Sequence, residues 1–186
     1  MAAGDRERWN EKWAAGHRGT GHGSAVLDLL EGRLDPGSRV LDVGGGGAGT
    51  GPELAAAGHE VTVVDVSDVG LAAALDAAAE QEATLTTIEA DLDTDPLPAG
   101  PWDAVIVANF LHRGVMAAIP DALAPSGILV AVIATEANLD RNDRPSRIHL
   151  VAADELPTLA PGLTVLEHSE SWRDNGRHEA HLVARR

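Results

Sequence analysis

Ten residues restrict this chain more than any others: Val40-Leu41-Asp42-Val43-Gly44-Gly45-Gly46-Gly47-Ala48-Gly49. An apolar run that breaks into consecutive glycines reads as a strand turning sharply into a helix. Without Cβ atoms the glycines permit a tight turn and let backbone N–H groups approach a ligand at the start of that helix. A second apolar run, Glu60-Val61-Thr62-Val63-Val64-Asp65, ends in a carboxylate. It lies about twenty residues beyond the first glycine, the separation at which an acid accepts hydrogen bonds from a ribose diol. Strand, turn, helix, strand and acid together describe a β-α-β unit that holds a nucleoside. Gly44, Gly46 and Gly49 also fit G-x-G-x-x-G, so the turn alone leaves a nicotinamide or flavin enzyme open.

The pattern continues downstream. Leu85-Thr86-Thr87-Ile88-Glu89-Ala90-Asp91 reads as a third strand ending in an acid, and Ala104-Val105-Ile106-Val107 as a fourth. Nearly continuous apolar runs of this kind suit central parallel strands covered on both faces. Ser67 is placed to cap the helix carrying Leu71 and Leu75, and Pro52 sits early in the helix before it. Two further helices are expected at about 5–15 and 23–33, flanking the glycine-rich stretch Gly16 to Gly23, which reads as a mobile loop. Near the end, Leu163–His168 and His178–Val183 flank Asp174-Asn175-Gly176, the signal of an antiparallel hairpin.

Asp42, two residues before Gly44, adds the signature D-x-G-x-G. With it the chain resembles the class I S-adenosylmethionine-dependent methyltransferases. The later landmarks follow in that family's order: Asp91, the segment Pro101-Trp102-Asp103 to Arg113, and Leu123-Ala124-Pro125-Ser126-Gly127, where serine replaces the first glycine of an L-x-P-G-G turn. Trp9-Asn10-Glu11-Lys12-Trp13 and Phe110-Leu111-His112-Arg113 are most similar to the small tellurite-resistance-type branch. The resemblance implies an α/β, Rossmann-like sheet of seven mainly parallel strands, closed by a C-terminal antiparallel hairpin and covered by helices on both faces. It implies S-adenosylmethionine as cofactor, with Asp42 near its methionine end, Gly44 and Gly46 beneath it, Asp65 and Val66 at the ribose, Asp91 and Leu92 at the adenine, and Asn109 lining the pocket. Ala48 stands where the family usually has a third glycine.

The resemblance spans 1–186 as a single domain, with 1–35 as a helical lid segment and 36–186 as the core. Trp9 and Trp13, four residues apart, share one helical face, either as docking contacts or as an aromatic wall beside a sulfonium cation. Arg113 is a further candidate for the acceptor side. His112 is the candidate general base, because its unperturbed pKa lies near neutrality; the alternative is a histidine that caps the next helix.

Composition narrows the partners. There are 29 acids against 14 Lys and Arg, a net charge of −15, which repels phosphate backbones and disfavours nucleic acid. Arg141, Arg144, Arg147 and His149 form the densest basic group, read either as a solvated loop or as an anion patch. Asn109-Phe110-Leu111 lacks the two prolines of the Asn-Pro-Pro-aromatic motif of base and glutamine N-methylation, which further favours a small-molecule acceptor. No cysteine is present, so disulfides and thiol nucleophiles are excluded. His178 and His181, an odd number apart, point to opposite faces of a strand, and no metal is expected. The absence of a long apolar run makes a cytoplasmic enzyme without a membrane segment the default. Two other functions stay open: an NAD-type oxidoreductase, and a non-catalytic module that binds S-adenosylmethionine.

Overall fold

A computed structural model describes residues 2–17, 23–47 and 49–186. Seven strands form one sheet in the order β3-β2-β1-β4-β5-β7-β6: β1 (Arg39–Val43), β2 (Glu60–Asp65), β3 (Thr86–Glu89), β4 (Trp102–Ala108), β5 (Leu123–Ala134), β6 (Thr164–Trp172) and β7 (His178–Arg185). The first five run parallel, and β7 pairs antiparallel with both β5 and β6. Strand order reverses between β1 and β4, and such a switch point opens a crevice at the carboxyl ends of the strands.

Among the described residues, five α-helices accompany the sheet: α1 (Ala2–Ala14), α2 (Gly23–Leu30), α3 (Thr50–Ala56), α4 (Asp68–Ala79) and α5 (Arg113–Ala122). The alternating residues of the central strands divide between two cores. Leu41, Val43, Val105, Val107, Leu129 and Ala131 meet Val115, Met116 and Ile119 of α5. Val40, Val63, Ile106, Val130 and Val132 meet α2, α3 and α4 through Val26, Leu30, Leu54 and Leu71. Each fully buried aliphatic side chain contributes about 1.5–3 kcal/mol, so these two layers fix the sheet and with it the crevice.

Local chemistry sets the element ends. Ser67 Oγ accepts the Gly70 N–H at 2.9 Å and caps α4, as its position indicates. α3 approaches β2 closely at Gly51, where a Cβ would stand 2.8 Å from Val63 Cγ2. α2 ends at Leu30 rather than near 33, because the chain turns at Gly32 with φ +66°. α1 begins earlier than expected, at Ala2, and β3 ends at Glu89, two residues short of Asp91. Residues 18–22 of the glycine-rich stretch, and Ala48, lie outside the described residues.

The hairpin forms where Asp174-Asn175-Gly176 places it: Gly176 N–H donates to the Arg173 carbonyl at 2.9 Å, Gly176 has φ +78°, and Trp172 pairs with His178. An irregularity within β5, where its register with β4 shifts between Leu123 and Ile128, is less comfortable. Ser126 holds φ +68°, a left-handed conformation that disfavours side chains, while a Cβ on Gly127 would stand 2.8 Å from the Trp102 carbonyl oxygen. Ser126→Gly is therefore expected to stabilise the fold by about 0.5–1 kcal/mol, the relief of strain exceeding the added chain entropy. Gly127→Ala is expected to destabilise it by roughly 1–3 kcal/mol. Urea midpoints of the two variants check both signs, and equal midpoints would refute the argument.

Candidate functional site

The turn after β1 is built by exclusion. Gly44 has φ +66° and Gly46 has φ +48°, and the Gly44 N–H donates to the Val64 carbonyl at 2.8 Å, tying the turn to β2. Added Cβ atoms would meet neighbours at every step: Phe110 Cγ at 2.7 Å from Gly44, Asp42 Oδ2 at 2.5 Å from Gly45 and Trp13 Cζ2 at 2.5 Å from Gly46. The turn is a bare backbone pressed between side chains, the form a nucleoside cradle requires.

Two carboxylates flank it. Asp65, at the end of β2, is half-buried; Oδ1 accepts the Ser67 N–H at 2.8 Å, and the amides of Gly46 and Val66 also donate to the carboxylate. Burial raises its pKa, and these amides work against the rise. It therefore joins the glycine turn to the start of α4 while keeping a solvent-facing side. Asp42 is 3% exposed and lies beneath the turn, against Gly45 and the Gly51 N–H. Burial, reinforced by the charge of Asp65 and opposed by the Gly51 amide, pushes its pKa up to about 7. Asp42 thus braces the turn against α3 from the inside.

The third acid is already engaged. Asp91 Oδ1 accepts the Asp93 N–H at 3.1 Å, and its own N–H donates to Asp95 Oδ2 at 2.8 Å. Leu92 beside it is buried. Across the switch point, Asn109 directly follows β4 with φ +56°, its N–H donating to the Val132 carbonyl, while Phe110 turns back onto Gly44.

His112 is the N-cap of α5: Nδ1 accepts the Val115 N–H at 3.0 Å, and Nε2 lies 3.4 Å from Asp93 Oδ1. Both ring nitrogens thus face partners within the structure. The capping alternative describes this geometry better than the general-base one. Arg113 is likewise committed, forking onto Glu155 through Nε (2.7 Å) and Nη2 (3.0 Å) and reaching the Leu150 carbonyl. This pair fastens the start of α5 to the segment after β5.

α1 closes over the turn from the other side. Trp13 packs against Gly46, Gly47 and Gly70, whereas Trp9 stacks with Lys12, whose Nζ lies 4.1 Å from its ring centroid. Asn10, which residue type alone did not single out, donates to Asp68 Oδ1 at 2.7 Å and accepts from Ser67 Oγ at 2.6 Å. Its place between two tryptophans was the only available signal. The basic group after β5 divides: Arg147 pairs with Glu136 at 2.7 Å, and Arg141 stacks 4.0 Å from the Trp172 centroid. His178 meets Thr135 and Trp172, while His181 meets the buried Glu179, on opposite faces of β7.

Residues 40–127 match the family model described as a methyltransferase domain. The fold is shared with magnesium protoporphyrin IX methyltransferase (ChlM) from Synechocystis, solved with bound SAH; the TM-score is 0.78 at 19% identity, over 100% of this chain and 99% of that one. It is also similar to a TehB-like SAM-dependent methyltransferase from Corynebacterium glutamicum, with TM-score 0.65 and 20% identity over 98% and 96% of the two chains. The cyclase SpnF has the same fold, with TM-score 0.70 and 22% identity over 88% and 80%. No curated protein matches the chain in sequence.

The Asp42 environment makes stability depend on pH. Its carboxyl binds a proton more tightly folded, near pH 7, than unfolded, near the usual 3.8. Its contribution is therefore complete below about pH 4 and is lost as pH rises towards 7, at up to roughly 1.4 kcal/mol per pH unit. Urea unfolding between pH 4 and 8 should show a shallower decline in Asp42→Asn than in the natural chain; parallel curves would disprove the burial argument.

Proposed function

We propose that this chain, whose residues 40–127 form a methyltransferase domain within a class I fold, transfers the methyl group of S-adenosylmethionine to a small-molecule acceptor. The observation that carries the reading is the pairing of a side-chain-free turn, Gly44 to Gly47, with a half-buried carboxylate, Asp65, at a sheet switch point. A net charge of −15 supports a small molecule over nucleic acid.

Each residue has an assigned part. Gly44 and Gly46 let the backbone pass under the methionine portion, with Asp42 fixing the turn from below. Asp65 accepts from the ribose hydroxyls beside Val66. Asp91 and Leu92 bound the adenine, and Asn109 bounds the acceptor side at the end of β4. The cofactor supplies an already activated methyl group on a sulfonium, so the protein's work is alignment and exclusion of water. Trp13 covers the turn and presents a ring that favours a cation. His112 and Arg113 act by holding the start of α5 rather than by moving a proton, which suits an acceptor atom that needs no base. Residues 1–35 serve as the lid on a core of 36–186, in a single domain. No helix among the described residues is long and apolar enough to cross a membrane.

Titration calorimetry with S-adenosylmethionine, S-adenosylhomocysteine and NAD tests the cofactor. The first two are expected to bind in the micromolar range, about −8 kcal/mol, and Asp65→Ala to weaken them by roughly tenfold or more. Binding of NAD alone would replace the proposal with a dinucleotide-dependent oxidoreductase. Binding without turnover across a broad acceptor panel would favour the non-catalytic module, since one fold hosts many functions.

The lid is tested by limited proteolysis between residues 16 and 23. S-adenosylhomocysteine should slow cleavage in the natural chain by several-fold and protect Trp13→Ala much less. Equal cleavage rates with and without ligand would remove the lid from the mechanism.

A further inference from the structure

We propose that Asp154, His168 and Glu170 form a binding site for one divalent transition-metal ion, of the Zn²⁺ or Mn²⁺ type, at the sheet edge away from the glycine turn. His168 and Glu170 lie two residues apart on β6 and so share a face. They pair with Leu182 and Ala180 of β7, which belong to the core beneath α5, so that face looks toward the segment preceding β6. Asp154 arrives from that segment, its N–H donating to Glu170 Oε1 at 3.0 Å.

One ligand atom from each residue lies within 4.8 Å of the other two. His168 Nε2 and Glu170 Oε1 are 3.5 Å apart. Two ligands about 2.1 Å from a tetrahedral metal stand about 3.4 Å apart, so this pair already has the required separation. Only the exposed Asp154 carboxylate has to swing inward. The second observation concerns hydrogen bonding: His168 Nε2 is buried and has no hydrogen-bond partner among the described residues, despite the neighbouring carboxylate. Buried ring nitrogens are ordinarily satisfied, and a metal ion would use this one as a ligand while neutralising two acids in a chain of net charge −15.

One imidazole nitrogen and two carboxylate oxygens form a borderline-to-hard set, compatible with Zn²⁺ and Mn²⁺, with water completing the shell. The ion would pin the segment around Asp154 to β6. Asp154 is followed by Glu155, the partner of Arg113 at the start of α5, so the metal would brace one wall of the crevice from behind. Sequence spacing alone does not reveal this group, because Asp154 joins His168 and Glu170 from a separate segment.

Untagged full-length chain, stripped with EDTA, would be titrated with ZnCl₂ and with MnCl₂ in a calorimeter. One equivalent is expected at micromolar affinity or tighter, weakened at least about tenfold in His168→Asn and in Glu170→Gln and unchanged in His178→Asn. No binding at hundred-micromolar metal, or the same stoichiometry and affinity in His168→Asn, would overturn the site and leave an adventitious ion only. Should the variants not fold, substoichiometric Mn²⁺ added to the natural chain decides by NMR. Amide signals near Asp154 and Glu170 should broaden before those of Gly44 to Gly47, and the reverse order would overturn the proposal.

Discussion

The closeness of the backbone turn after β1 to its neighbours governs most of what lies around it. Phe110, Asp42 and Trp13 each come within a distance at which a Cβ on the facing glycine could not fit. Three separate elements, the β4 exit, β1 itself and α1, are therefore registered against one short stretch of bare main chain. Positive φ at Gly44 and Gly46 adds a conformational requirement to the steric one.

Around that turn the acidic side chains divide the work through their surroundings. Asp42 is sealed under the turn and carries a raised pKa; Asp65, also raised, stays half-buried at the strand end with amides offsetting the effect. Both are aspartates at the level of sequence. Burial makes one a brace and leaves the other able to meet a ligand. On the far side of the crevice, histidine and arginine, types that often do chemistry, instead secure α5: His112 by capping it and Arg113 by its fork to Glu155. Positioning by firm attachment suits a reaction in which alignment dominates the barrier.

Much of the architecture was legible beforehand because it rests on local rules. Apolar runs with a strand's length, glycine clusters and the Asp174-Asn175-Gly176 turn each encode short-range geometry, and the strands and hairpin formed where these signals lie. Element ends were less legible. α2 stops at a positive-φ glycine inside a segment whose periodicity continued, and β3 ends before its acid because Asp91 is drawn into a turn with Asp93 and Asp95. A competing local hydrogen bond decided the boundary in the second case.

The sequence by itself determined the alternation of strands and helices, the placement of a side-chain-free turn before a helix, and the acid that follows at the next strand end. These depend on residues near one another in the chain, where sterics and backbone hydrogen bonding act directly. Only the tertiary structure decided what the individual side chains do. It set Trp13 rather than Trp9 against the turn, placed Asp93 beside Nε2 of His112, and brought Asp154 to His168 and Glu170. Each of these depends on the distance between segments far apart in sequence, a quantity fixed by how the two cores pack on the sheet and absent from any local pattern.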